Sequence, residues 1–134
     1  MVKKEDFHKA IIRPNEGAAG LKLGATTQTV SKVLGQPHTT EQIKADQERW
    51  GYGDVWVWFK ADKVDQINVT GLHEGKTKEG IGIGSTRKEV EKVFGMLEWD
   101  GTWLINIPPF GIGFDFGSSI MGENRVTDIF IFPE

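Results

Sequence analysis

One pattern occurs twice in this chain, and that constrains it most. Gly80–Gly95 reads GIGIGSTRKEVEKVFG and Gly20–Gly35 reads GLKLGATTQTVSKVLG. At a constant offset of 60, Leu21 pairs with Ile81, Leu23 with Ile83, Gly24 with Gly84, Thr26 with Thr86, Val30 with Val90, Val33 with Val93 and Gly35 with Gly95. Matches at one fixed spacing are what an internal duplication leaves. The expectation is therefore a fold assembled from two like pieces.

Within each copy the residues spell a short helix. Thr86-Arg87-Lys88-Glu89 has the capping-box form, whereas Thr26 is followed by Thr29 in place of the glutamate. Val90, Val93 and Phe94 share one helical side, as do Val30, Val33 and Leu34. Gly35 and Gly95 stand where a helix stops, and Pro37 follows the first. Helices of two to three turns do not hold alone and must lie on something.

That support reads as a sheet. Trp50–Tyr52, Val55–Phe59 and Val64–Val69 are short strand-like runs separated by turns, matched later by Trp103–Ile107, Gly111–Phe116 and Val126–Phe132. Val55, Val57 and Phe59 align with Ile112, Phe114 and Phe116, and Val64, Ile67 and Val69 with Val126, Ile129 and Ile131. The expected fold class is α+β: a tandem repeat of a short helix plus a three-stranded antiparallel meander, helices packed on one face of the sheet. Repeat 1 spans residues 20–70 and repeat 2 spans 80–132, in a single domain 1–134 with an N-terminal arm, 1–19. In that arm Phe7, Ile11 and Ile12 are expected against the core edge. Residues 38–48 read as a polar connection and 71–79 as the linker. The spacing Val64-x-x-Ile67 breaks strict alternation and predicts a bulge.

Composition removes whole classes of function. The 134 residues include 38% hydrophobic and 26% charged residues, which argues against disorder and for a soluble protein. No apolar run is long enough for a membrane span. Lys3-Lys4 leads into Glu5-Asp6 and not into an apolar stretch. The chain as it stands therefore reads as cytoplasmic, or as periplasmic or secreted if a leader has been removed. With no cysteine, disulfides, thiol catalysis and thiolate metal sites are out. A net charge of −3 argues against nucleic acid and is compatible with a basic protein partner.

Chemistry-bearing clusters are sparse. His8, His38 and His73 have no partner at metal-ligand spacing and read as solvated loop histidines. Gly80, Gly82 and Gly84 lack the strand and long helix that a dinucleotide fingerprint needs. Ser118 and Ser119 lack a nucleophile-elbow pattern. The expectation is no enzyme, no catalytic residue, no metal and no cofactor.

The aromatics carry more. If Val55, Val57 and Phe59 face the helices, Trp56 and Trp58 point the other way, where the second copy has Gly113 and Asp115. Trp50, Tyr52, Trp56, Trp58, Trp99, Trp103, Asn68 and Asp115 are the candidate binding residues. Large aromatics on an uncovered sheet mark an interface. The pattern fits equally a face covered by the arm, the 38–48 connection or the other copy, with Gly113 making room for a tryptophan ring.

The matching positions Gly20, Gly24, Thr26, Val30, Leu34, Gly35, Pro37, Val64 and Ile67, with Gly80, Gly84, Thr86, Val90, Phe94, Gly95, Val126 and Ile129, resemble one known group. It is the SmpA/OmlA-like domain of small outer-membrane assembly lipoproteins, whose tandem form is the β-lactamase inhibitor protein fold. The resemblance covers about residues 20–132 and implies a concave sheet whose exposed aromatics grip a partner enzyme. The tandem inhibitors are secreted and disulfide-stapled, unlike this cysteine-free chain. The sequence-level reading is a non-enzymatic protein-binding module of inhibitor or immunity type. The alternatives are a small-molecule or glycan binder with a Trp stacking platform, and a homodimer-forming structural protein.

Overall fold

Both helices begin at a threonine. In the computed structural model, which describes residues 9–71, 73–95, 104–117 and 125–133, helix α1 (Thr27–Leu34) follows Thr26 and helix α2 (Arg87–Phe94) follows Thr86. Thr86 Oγ1 accepts the Glu89 N–H at 3.2 Å, and the Glu89 carboxylate accepts the Thr86 N–H at 2.9 Å, completing a capping box. Thr26 accepts the Thr29 N–H at 3.2 Å with nothing returned to its own N–H from the residue 29 side chain. Each helix stops at a glycine of positive φ, Gly35 at 80° and Gly95 at 92°. Val30, Leu34 and Val90 are buried.

Seven of the nine described strands form one sheet. In chain order, β1 (Gly17–Ala18) and β2 (Leu21–Lys22) make a small hairpin, and β3 (Thr39–Lys44), β4 (Gln47–Gly51), β5 (Val55–Lys60) and β6 (Lys63–Thr70) follow α1. After α2 come β7 (Leu104–Ile107), β8 (Ile112–Asp115) and β9 (Asp128–Ile131). The seven strands β3 to β9 lie side by side in the order β3-β4-β5-β6-β9-β8-β7, every pair antiparallel.

This overturns the expected fold class. The chain does not form a tandem repeat of one helix plus a three-stranded meander; among the described residues it is mostly sheet, dominated by one seven-stranded antiparallel sheet, with two α-helices. The first half contributes four strands and the second three. Residues 38–48, expected as a connection, hold β3 and the start of β4. All six β3 residues are exposed, so neither face is buried and no alternation marks the strand. Its charges and the register shift between Gln42 and Lys44 are devices that keep an edge strand from recruiting neighbours.

The helix-side face of the sheet is the core. Val55, Val57 and Phe59 from β5 sit beside Ile67 and Val69 from β6, Ile129 and Ile131 from β9, and Ile112 and Phe114 from β8, all fully or almost fully buried. The expected bulge is present: Trp58 pairs with Gln66 and Phe59 with Val64, leaving Asp65 as the extra residue. The segment before each helix is tied to the last strand segment of its half by paired backbone bonds. Gly24 N–H reaches Val64 O and Val64 N–H reaches Ala25 O; Gly84 N–H reaches Val126 O and Val126 N–H reaches Ser85 O. In the arm, Ile12 is buried but Ile11 is 43% exposed, and Phe7 lies outside the described residues. No described helix is long and apolar enough to cross a membrane.

Candidate functional site

Period two sends alternate residues of β5 to opposite faces. With Val55, Val57 and Phe59 in the core, Trp56 and Trp58 project from the face that the helices leave open. Cross-strand pairing extends that face in rows. Gly51, Trp56, Asn68, Phe130, Gly113 and Asn106 stand opposite one another along the first, and Arg49, Trp58 and Gln66 along the second. Thr70, Asp128 and Asp115 make a third.

Both indoles are half-buried, held by a cation. The Arg49 guanidinium lies 4.6 Å from the Trp56 ring centroid and 5.2 Å from that of Trp58. From Nε at 3.0 Å and Nη2 at 2.8 Å it donates to one carboxylate oxygen of Glu41 on the edge strand β3. The glycine that makes room for a tryptophan is Gly51. A Cβ there would stand 2.6 Å from the Trp56 ring and from Thr39 Oγ1. Gly113, expected in that role, instead accommodates the Asn106 side chain, because it sits on β8, two strands beyond Asn68.

Four expected binding residues share this face: Trp56, Trp58, Asn68 and Asp115. Asn68 is 7% exposed and donates to Ile129 O at 3.4 Å, so it braces the β6–β9 seam. Trp50 and Tyr52 do not belong here. Trp50 is opposite Val57 on the core side, has its ring tilted against Phe59 at 4.6 Å between centroids, and donates its indole N–H to Glu48 at 3.3 Å. Tyr52 is 5% exposed, donates to Gly35 O at 3.0 Å where α1 ends, and has its hydroxyl pushed up to about 12 by burial. One strand with Trp50 inward cannot also present it outward. Trp99 and Trp103 lie outside the described residues.

Sequence reasoning missed Arg49 and Glu41, because a salt bridge across an unrecognised edge strand has no linear signal. Strand alternation puts Phe132 and Gln66 near this face, whereas their meeting with Asn106 across strands has no linear signal. With Pro108 and Phe130 these line an open groove of 410 Å³ at the β6–β9–β7 side of the face. His73, expected as a solvated loop histidine, is 4% exposed, with Nδ1 3.7 Å from Asp54 Oδ2. Among the described residues no three His, Cys, Asp or Glu side chains gather as metal ligands would.

No protein-family model matches the chain, and no curated protein sequence does. The fold has relatives among solved structures. A cysteine-rich secretory protein of Staphylococcus aureus superposes with a TM-score of 0.60 at 17% identity, over 92% of this chain and 48% of that one. An extracellular protein containing a SCP domain, from Bacillus anthracis, gives 0.55 at 14% identity, over 84% and 44%. A DUF4309 family protein of Bacillus subtilis gives 0.50 at 14% identity, over 98% of this chain and 93% of that chain. This chain spans less than half the length of the first two. At such identities the likeness is one of fold.

Proposed function

We propose that this chain is a non-enzymatic protein-binding module that docks the helix-free face of its sheet onto a partner. The observation that carries the reading is the Trp56–Arg49–Trp58 stack, two large aromatic side chains on the open face and preorganised before any partner arrives. Tryptophan and arginine dominate the energetics of protein interfaces, and ordering them in advance lowers the entropy cost of association. Phe130 and Phe132 prolong the apolar surface across β9, while Gln66 and Asn106 give it a polar border. The inhibitor or immunity-type version of this reading draws on the SmpA/OmlA-like resemblance over about residues 20–132; the solved structures this chain superposes on belong to other families.

The test joins two measurements. Light scattering over a wide concentration range should give a monomer, and Trp56→Ala with Trp58→Ala should lose partner binding while melting within about 5 °C of the parent. A concentration-independent dimer would assign the face to self-association, and a large loss of stability would make the indoles structural.

A second reading has its own observation. Amides and phenyl rings around the 410 Å³ groove suit a sugar ring. Titration with oligosaccharides, followed by tryptophan fluorescence, separates the two.

A further inference from the structure

The open face is electrically lopsided. At its β4–β5 end stand the cations: Arg49, engaged by Glu41, and Lys60, on the same side of β5 as Trp56 and Trp58 and directly opposite Lys63. At its β8–β9 end Asp115 and Asp128 stand directly opposite each other across the strand pair, beside Phe130 and Gly113. Like charges directly opposite in an antiparallel pair cost stability. Among the described residues neither forms an ion pair. Asp115 Oδ1 accepts the Gly117 N–H at 2.9 Å, and Asp128 Oδ2 bonds the Thr127 hydroxyl at 3.0 Å.

The sequence sharpens the asymmetry. From Val93 to Asn124 there is no Lys, Arg or His, and from Val93 to Glu134 one cation, Arg125, stands against six acidic side chains. Arg125 is turned toward the start of α2, donating to Gly84 O at 2.9 Å. Everything before Val93 carries fifteen Lys and Arg against thirteen acids. The modest net charge of −3 thus conceals a strongly acidic stretch over residues 93–134.

We infer that the docking face takes a basic protein loop, whose Lys or Arg head groups meet the Asp115–Asp128 pair while its apolar stems lie on Phe130, Trp56 and Trp58. This rests on the docking-face reading above and names its partner's chemistry. Adjacent strands are about 5 Å apart, so the two strand steps from Trp56 to Asp128 span about 10 Å, a distance one loop covers. A long cationic side chain suits the site because its stem is apolar and its tip charged. The like-charge pair, unfavourable in the free chain, becomes favourable once a cation sits between its members. An anionic group meets the wrong sign at the Asp115–Asp128 end.

The experiment pans a displayed cyclic-peptide library on the full chain, then measures selected peptides against the parent, Asp115→Asn/Asp128→Asn and Trp56→Ala/Trp58→Ala. Asparagine keeps the acceptor oxygens, so the first double variant should melt at or above the parent's temperature. The expected binders carry Lys or Arg and weaken roughly tenfold on D115N/D128N at about 50 mM salt, less at about 300 mM. They weaken at least as much on W56A/W58A. Binders without cations, or binding indifferent to D115N/D128N, overturn the charge inference while the docking face stands if W56A/W58A still abolishes binding. A panel indifferent to W56A/W58A, an empty panel, or a second copy of the chain seated on the face overturns both.

Discussion

Strands β5 and β8 occupy corresponding places in the two halves of the sheet and are built alike on one side only. Facing the helices, Val55, Val57 and Phe59 run beside the first half's core as Ile112, Phe114 and Phe116 do beside the second, none more than 2% exposed. On the other side β5 carries Trp56 and Trp58 where β8 carries Gly113 and Asp115. Inward positions answer to packing, which accepts any large apolar side chain of suitable volume. Outward positions answer to what meets the face. The two halves therefore share a core grammar and differ on the outward face.

The harshest way to test that equivalence is to remove the inward rings. Phe59→Ala and Phe116→Ala should each cost about 3–5 kcal/mol in urea unfolding, the range for burying a phenyl-sized cavity. Phe59 loses its contact with Trp50 and Phe116 its contact with Phe114, at 4.6 and 6.2 Å between ring centroids. Costs that differ by more than about 2 kcal/mol would mean one half carries the core and the other leans on it.

The outward glycines break the symmetry on purpose. Gly51→Ala drives a methyl into the Trp56 ring and Thr39, with no positive φ to complicate the result, and should cost about 1–3 kcal/mol and shift tryptophan emission. Gly113→Ala meets the terminal oxygen of Asn106, an atom that can swing aside, and should cost less than about 1 kcal/mol. Equal costs would show that the Trp56–Arg49 stack is looser than its distances imply.

How far the sequence foretold this molecule follows from the same physics. Short-range signals were readable: the threonine caps, the glycine stops, the inward trios, and the bulge at Asp65. These depend on residues a few positions apart. What escaped depends on distance or on the lack of pattern. Strand β3 has no buried face and so no period. Trp50 and Tyr52 read as companions of Trp56 because aromatic identity says nothing about facing; only pairing with Val57 and the bond to Gly35 turn them inward. Joining the halves into one sheet through β6 and β9 requires Val69 to meet Ile129, sixty residues on. The proposed docking face was half legible, its tryptophans visible and its arginine not.

The gentlest comparison is between the helix starts. Glu89 is held below the ordinary carboxylate range, first by the Thr86 N–H and then by the Thr86 hydroxyl. A carboxylate whose pKa is lowered by folding stabilises the folded chain above its unfolded value of about 4.3, and that contribution is lost as pH falls through the folded value. Glu89→Gln keeps an acceptor for the backbone but loses the charge at the helix's positive end. It should therefore melt below the parent at neutral pH and converge with it under acid. Thr29→Glu installs the missing half of the box in α1 and should add about 0.3–1 kcal/mol at neutral pH, vanishing over the same acid range. If Thr29→Glu instead destabilises, the first helix start is shaped by its contact with Lys63 rather than by its cap. The two halves would then differ in how their helices are anchored as well as in the face they present.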